Sequence, residues 1–170
     1  VQKDKRGKLV AGPLGPIEHY YWRLEYQARG APHIHMKLWV KDAPVLGAPR
    51  VTQKQVQDFI SQYITCELPD RQKNPQLRDL VETFQTHKCN ASCMRFKRGK
   101  GGKGRASCRY AFPRPVQEHY TFTDIADVVK DKAKGKKPKK WYLLPRAVEE
   151  ARINDYNPVL LMLWAANMDI

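Results

Sequence analysis

The chain has 170 residues, with 31 Lys plus Arg against 17 Asp plus Glu, a formal net charge of +14 and a pI near 9.8. That length suits one domain with a modest insertion, or two very small domains, and excludes a (β/α)₈ barrel of about 250 residues. An apolar share of 42% excludes wholesale disorder, and the longest apolar run, Val159 to Ala166, falls far short of the roughly 20 residues of a membrane-spanning helix.

A charge of this size favours a polyanionic partner, nucleic acid first. The first 18 residues are rich in Gly, Pro and Lys and read as loop. They hold neither an initiator Met nor an apolar signal core, so the chain is expected to come from a longer one. From Tyr20 the pattern alternates. Tyr20, Trp22, Leu24 and Tyr26 belong to one face of a strand; Tyr21, Arg23, Glu25 and Gln27 belong to the other. The turn residues Arg29-Gly30-Ala31-Pro32 follow. A second alternation then puts Ile34, Met36, Leu38 and Val40 on one face and His33, His35, Lys37 and Trp39 on the other. The two runs predict an antiparallel hairpin.

After a loop from Pro44 to Pro49, Thr52 and Gln55 make a capping-box pair, and Val56, Phe59, Ile60 and Tyr63 follow at helical spacing. Asn74-Pro75 predicts a second helix start, with Leu77, Leu80, Val81 and Phe84 as its apolar stripe. Cys89 to Cys108 holds three of the four cysteines, and within it Lys97 to Arg105 has five basic residues and four glycines. Tyr120 to Thr123 and Trp141 to Leu144 predict short strands. Lys130 to Lys140, with seven lysines, reads as a mobile surface loop. Asn157-Pro158 opens the last helix.

Pro32-His33-Ile34-His35 is the sharpest chemical feature. Histidines at i and i+2 of a strand share a face and are close enough to share a metal ion. With the turn centred on Gly30, Gln27 lies opposite His33 and Glu25 opposite His35. The face then offers two imidazoles, a carboxylate and an amide, flanked by Arg23 and Lys37. Such a set leaves coordination positions open, so a bound divalent ion could polarise a phosphoryl oxygen. His87, Cys89, Cys93 and Cys108 are four soft ligands within 22 residues, the number of a closed structural zinc site; ordinary free thiols are the alternative. Cys66 lies outside that set and reads as a buried thiol. Lys97, Arg98, Lys100, Lys103 and Arg105, with Lys136, Lys137, Lys139 and Lys140, suit phosphate contacts without base reading. The second cluster also has the composition of a nuclear-localisation patch. Trp39 or Tyr21, on the histidine face, could stack on unpaired bases.

The stretch from Trp22 to His35 resembles the histidine–hydrophobic–histidine (HUH) region of Helitron transposases, rolling-circle transposons whose protein joins a Rep-type nuclease to a helicase. Cys108 to Pro115, Asn154 to Leu161 and Trp164 to Ile170 look like further blocks of the same domain, and the matches run from about Gly12 to Ile170. The resemblance implies a divalent metal (Mg or Mn) on His33 and His35, with Glu25 as third ligand and Gln27 a weaker candidate. It implies single-stranded DNA as substrate and a tyrosine nucleophile on a helix beyond Ile170, so no catalytic residue is assigned within the chain. It adds weight to the zinc cluster, and implies a helicase in the same polypeptide and a nuclear location.

The expected fold is α+β: an antiparallel sheet carries the His-x-His site, helices pack on its other face, and a small zinc-binding basic insertion projects from it. The expected organisation is a nuclease core over 1–86, the insertion over 87–115, and the remainder of the core over 116–170. The competing function is a non-catalytic, zinc-containing nucleic-acid-binding module. A zinc hydrolase of small substrates fits the charge poorly.

Overall fold

The computed structural model describes residues 2–3, 5, 9–10, 12, 14–26, 32–98, 104–123, 127, 133 and 141–170. It is a mixed α/β structure whose sheets, among the described residues, are two-stranded and antiparallel. The chain divides into two compact units, Val1–Tyr63 and Ile64–Ile170. Among the described residues, no helix is long and apolar enough to cross a membrane.

In the first unit, β1 (Gln2–Lys3) pairs with β2 (Leu9–Val10), and β3 (Ile17–Tyr26) pairs with β4 (Pro32–Val40). The long hairpin carries both alternating runs, but its register differs from the expected one by two residues. Glu25 lies opposite His33 and Arg23 opposite His35, and the ladder ends at Tyr26 opposite Pro32. Proline lacks the N–H that would continue the ladder, so it suits the first position of β4. An even shift keeps every side chain on its expected face.

The apolar face is the larger departure. Helices are expected to cover it. Instead Tyr20, Trp22 and Tyr26 are 63%, 56% and 73% exposed. Alternation decides which side chains share a face; what covers that face depends on contacts distant in sequence.

The helix α1 (Gln53–Tyr63) starts as its capping box dictates. Thr52 N donates to Gln55 Oε1 at 2.8 Å, and Gln55 N donates to Thr52 Oγ1 at 3.2 Å. Val56 and Ile60 are buried, and Phe59 and Tyr63 half-buried. Gly15, at φ +74, lets the Tyr63 hydroxyl approach, since a Cβ there would meet it at 2.8 Å.

In the second unit, α2 (Pro75–Leu80) runs on into a π-helical turn over Val81–Gln85, closed by Thr86 N donating to Val81 O at 2.9 Å. Next come β5 (Met94–Arg98) and β6 (Gly104–Cys108), which pair, and β7 (Thr121–Phe122) and β8 (Tyr142–Leu143), which also pair. The last element is α3 (Pro158–Trp164). Asn157 caps it, its side chain accepting from Leu160 N at 2.8 Å. The core is Val81, Ile153, Tyr156 and Leu161, with Leu77, Leu80, Phe84 and Met168 packed against it.

A buried arginine organises the loop between β8 and α3. Arg146 Nη2 donates to Asp155 Oδ1 at 2.6 Å, and its Nη1 donates to the carbonyls of Glu150 at 2.7 Å and Ile153 at 2.6 Å. Both side chains are nearly inaccessible. Removing one partner of such a pair leaves the other charged and buried, which costs about 3–5 kcal/mol. Arg146→Ala is therefore expected to lower the unfolding free energy of the second unit by about that amount in urea titrations. A loss of less than about 1 kcal/mol, the range of an exposed pair, would contradict the role given to it.

Candidate metal centre

His87, Cys89, Cys93 and Cys108 converge. Their ligand atoms all lie within 4.8 Å of one another, and His87 Nε2 is 3.3 Å from Cys108 Sγ. Among the described residues this is the group of His, Cys, Asp or Glu arranged to hold a metal ion. One imidazole and three thiols are soft to borderline donors, the set that selects zinc and a closed tetrahedral shell. Zinc–sulfur bonds of about 2.3 Å set sulfurs about 3.8 Å apart, so the group has to close by no more than about 1 Å to fit.

Two tight turns and one long-range anchor build the cluster. In the first turn Cys93 N donates to Asn90 O at 3.1 Å, while Asn90 N donates to Cys93 Sγ at 3.2 Å. The Asn90 side chain accepts from Ser92 N at 3.0 Å and Ser92 Oγ at 2.6 Å, which holds the turn's shape. In the second, Ala111 N donates to Cys108 O at 3.0 Å, with Ala111 at φ 59. Arg109 N donates to Cys93 O at 2.8 Å and ties the turns together. Cys93 immediately precedes β5, and Cys108 ends β6 opposite Met94. A metal ion held here would close the open end of the β5–β6 hairpin.

The anchor is His87. Its N donates to Arg152 O at 2.7 Å, within the loop that Arg146 holds. Its ring stacks on Phe112, with centroids 4.4 Å apart and planes at 13°, and Tyr110 meets it edge-on. Burial, with Arg152 and Arg114 nearby, holds the imidazole below its ordinary pKa, which favours the neutral, ligating form. Burial works against the Cys108 thiolate, but the backbone N–H groups of Phe112 and Tyr110 outweigh it and lower its pKa. For Cys93 the Asn90 N–H favours the thiolate, yet burial and the neighbouring Cys108 outweigh it and raise the pKa. Arg152 Nη1 donates to Cys89 Sγ at 3.4 Å, adding a positive charge beside the most exposed sulfur.

The hairpin face is a different environment. Glu25 Oε2 lies 3.1 Å from His35 Nε2, and the Arg23 guanidinium donates to Glu25 Oε1. The hydrogen bond with His35, helped by the charge of Arg23, holds the Glu25 carboxyl below the usual carboxylate range. The His33 and His35 rings meet edge-on with centroids 4.8 Å apart. Glu25 and His35 are thus in contact and His33 is Glu25's ladder partner, but the carboxylate is shared with Arg23, which a metal ion would have to displace. Lys37 and Trp39 continue the same face, exposed. Gln27 lies outside the described residues, as do Lys100, Lys103, Lys136, Lys137, Lys139 and Lys140. Lys97, Arg98 and Arg105 are described only as backbone in the β5–β6 ladder.

Two contributors escaped the sequence reading. His19 stands opposite Trp39, exposed on the histidine face; the expected strand began at Tyr20 and so omitted it. Arg152 reaches Cys89 from 63 residues away, a contact that no local pattern signals. Comparison with known proteins finds no match for this chain among protein-family models, curated proteins or solved structures.

Cys66 provides an internal control for thiol chemistry. Its thiol donates to Pro145 O at 3.1 Å, and burial pushes its pKa up to about 12. Native-state maleimide labelling at neutral pH is expected to spare all four cysteines in zinc-loaded protein. After chelation it should modify Cys89, Cys93 and Cys108 and still spare Cys66. Equal labelling of the cluster before and after chelation would contradict a metal at this site.

Proposed function

We propose that the chain is the metal-bearing part of a single-stranded-DNA endonuclease of the rolling-circle, Helitron type, acting in the nucleus beside a helicase of the same polypeptide. In this reading Glu25, His33 and His35 hold a divalent ion, Mg or Mn, on the β3–β4 face, and the attacking tyrosine comes from outside this chain. Such an ion polarises a phosphoryl oxygen of the DNA backbone. Arg23 and Lys37 position the flanking phosphates, Trp39 or Tyr21 stacks on a base, and the lysine-rich segments add affinity without reading sequence.

One observation supports the reading: Glu25, His33 and His35 lie on one face of a single hairpin, with Glu25 in contact with His35 and opposite His33 in the ladder. The net charge of +14 supports a nucleic-acid substrate. A second reading has its own support. The Cys/His cluster brings its four ligand atoms within 4.8 Å of one another, which favours a zinc-containing nucleic-acid-binding module with no catalysis.

Manganese binding separates the two. Calorimetric titration of zinc-loaded protein should show a Mn²⁺ site that His33→Ala/His35→Ala abolishes, with zinc content unchanged. No Mn²⁺ binding by the parent protein would leave the binding module and overturn the nuclease. Single-stranded DNA should be preferred over blunt duplex. If roughly six phosphates are neutralised, the log–log salt slope should be near −4, at about −0.7 per contact. Equal or tighter duplex binding, or a slope near zero, would contradict the substrate.

A further inference from the structure

From His87 to Gln117 the chain holds nine Lys or Arg residues and no Asp or Glu. Among the described side chains of that stretch, only Cys93 and Phe112 are buried. Its hairpin stands as a two-stranded ribbon: Met94 pairs with Cys108, Arg95 with Ser107, Phe96 with Ala106, and Lys97 with Arg105. Phe96 is 81% exposed, more than any other large apolar side chain described. Its ladder partner, Ala106, is too small to cover it. A ring left in water contributes nothing to the ribbon's own packing, so its presence there calls for a ligand with an apolar face. Uninterrupted positive charge around it calls for a polyanion.

We propose that the metal-closed β5–β6 ribbon is a docking unit for single-stranded nucleic acid, in which an unpaired base stacks on Phe96 while Arg109, at the ribbon's closed end, holds a neighbouring phosphate. Unpaired bases combine both required features, a free π-face and a phosphate within a nucleotide's length. Duplex bases are already stacked, and inserting a ring between them carries an unstacking cost. Arg109 and Tyr110 form a second platform at the closed end of the ribbon: the guanidinium carbon lies 4.6 Å from the Tyr110 ring centroid, and that ring is 48% exposed. Phe96 lies three residues beyond Cys93, about 10 Å along an extended strand, so the metal fixes the strand that presents it. The inference deepens the nucleic-acid reading above and does not depend on metal at His33 and His35.

The test uses the full chain, zinc-loaded, and an oligothymidylate followed by anisotropy. Phe96→Ala is expected to weaken binding about 5- to 150-fold, with an unchanged log–log salt slope, because stacking releases no counterions. Phe96→Trp should restore affinity, and its fluorescence should be quenched on binding. Arg109→Gln should instead reduce the slope by about 0.7. Zinc content and melting temperature of Phe96→Ala should match the parent, so its loss cannot be assigned to misfolding. His33→Ala/His35→Ala should leave the Phe96 effect intact. Parent-like affinity of Phe96→Ala for single strands would overturn the ribbon as a stacking unit while leaving the nuclease reading standing. A Phe96 effect confined to duplex would mean intercalation and overturn the single-strand assignment. Failure of the parent to bind any nucleic acid would overturn this inference and the nucleic-acid reading together.

Discussion

Among its described residues, the stretch from His87 to Gln117 buries little of its own, and that is the constraint on which the second unit's surface depends. Its described side chains bury Cys93 and Phe112 and little else. Ordering each backbone residue costs roughly 1–2 kcal/mol, and a glycine- and lysine-rich ribbon cannot recover that by apolar burial. A cross-link can, and four converging soft ligands supply one: apparent zinc binding energies of about 10–16 kcal/mol are folding energies for such small units. The cross-link in turn needs a fixed end. His87 provides it through its hydrogen bond to Arg152, in a loop held from beneath by the Arg146–Asp155 pair. The order of dependence therefore runs from buried ion pair to loop, to His87, to the cluster, and last to the ribbon.

The Cys/His cluster and the histidine face of β3–β4 are different environments. The cluster is compact: its four donors would fill a tetrahedral shell around one ion, its sulfurs accept N–H groups, and an aromatic ring covers His87. The β3–β4 face is open, with a carboxylate and imidazoles exposed beside Arg23 and Lys37. A closed soft site suits structure; on the hairpin face, the divalent ion proposed there would leave room for a substrate oxygen. Both surfaces carry exposed aromatic rings among cations, Trp39 and Tyr21 on one and Phe96 and Tyr110 on the other.

Local pattern was legible wherever local chemistry decides the outcome. Thr52 with Gln55, and Asn157 with Pro158, opened helices because their side chains satisfy N–H groups within one turn. The four cluster ligands were readable from donor type and spacing. The register of β3–β4 was missed by two residues because it depends on where the ladder ends, at Pro32, while the face of each residue survived because the shift was even. The strands Met94–Arg98 and Gly104–Cys108 were not anticipated, because basic and glycine-rich composition masks any alternation there. Asn154 to Leu161, one of the blocks that carried the Helitron resemblance, turns out to hold much of the second unit together. Asp155 meets Arg146, Tyr156 lies in the core with its hydroxyl donating to Glu67 O at 2.9 Å, and Asn157 caps α3. None of these partners is adjacent in sequence except the cap, which is why the block's structural duties could not be read in advance.

The central claim is that the ribbon is held by a metal with three sulfur ligands and one nitrogen ligand. X-ray absorption at the zinc edge on freshly purified full chain measures that shell directly. The account predicts zinc near one equivalent, with about three sulfurs at roughly 2.3 Å and one nitrogen at roughly 2.0 Å. A shell of oxygen and nitrogen alone, or protein that folds with its ribbon protected and no bound metal, would contradict it.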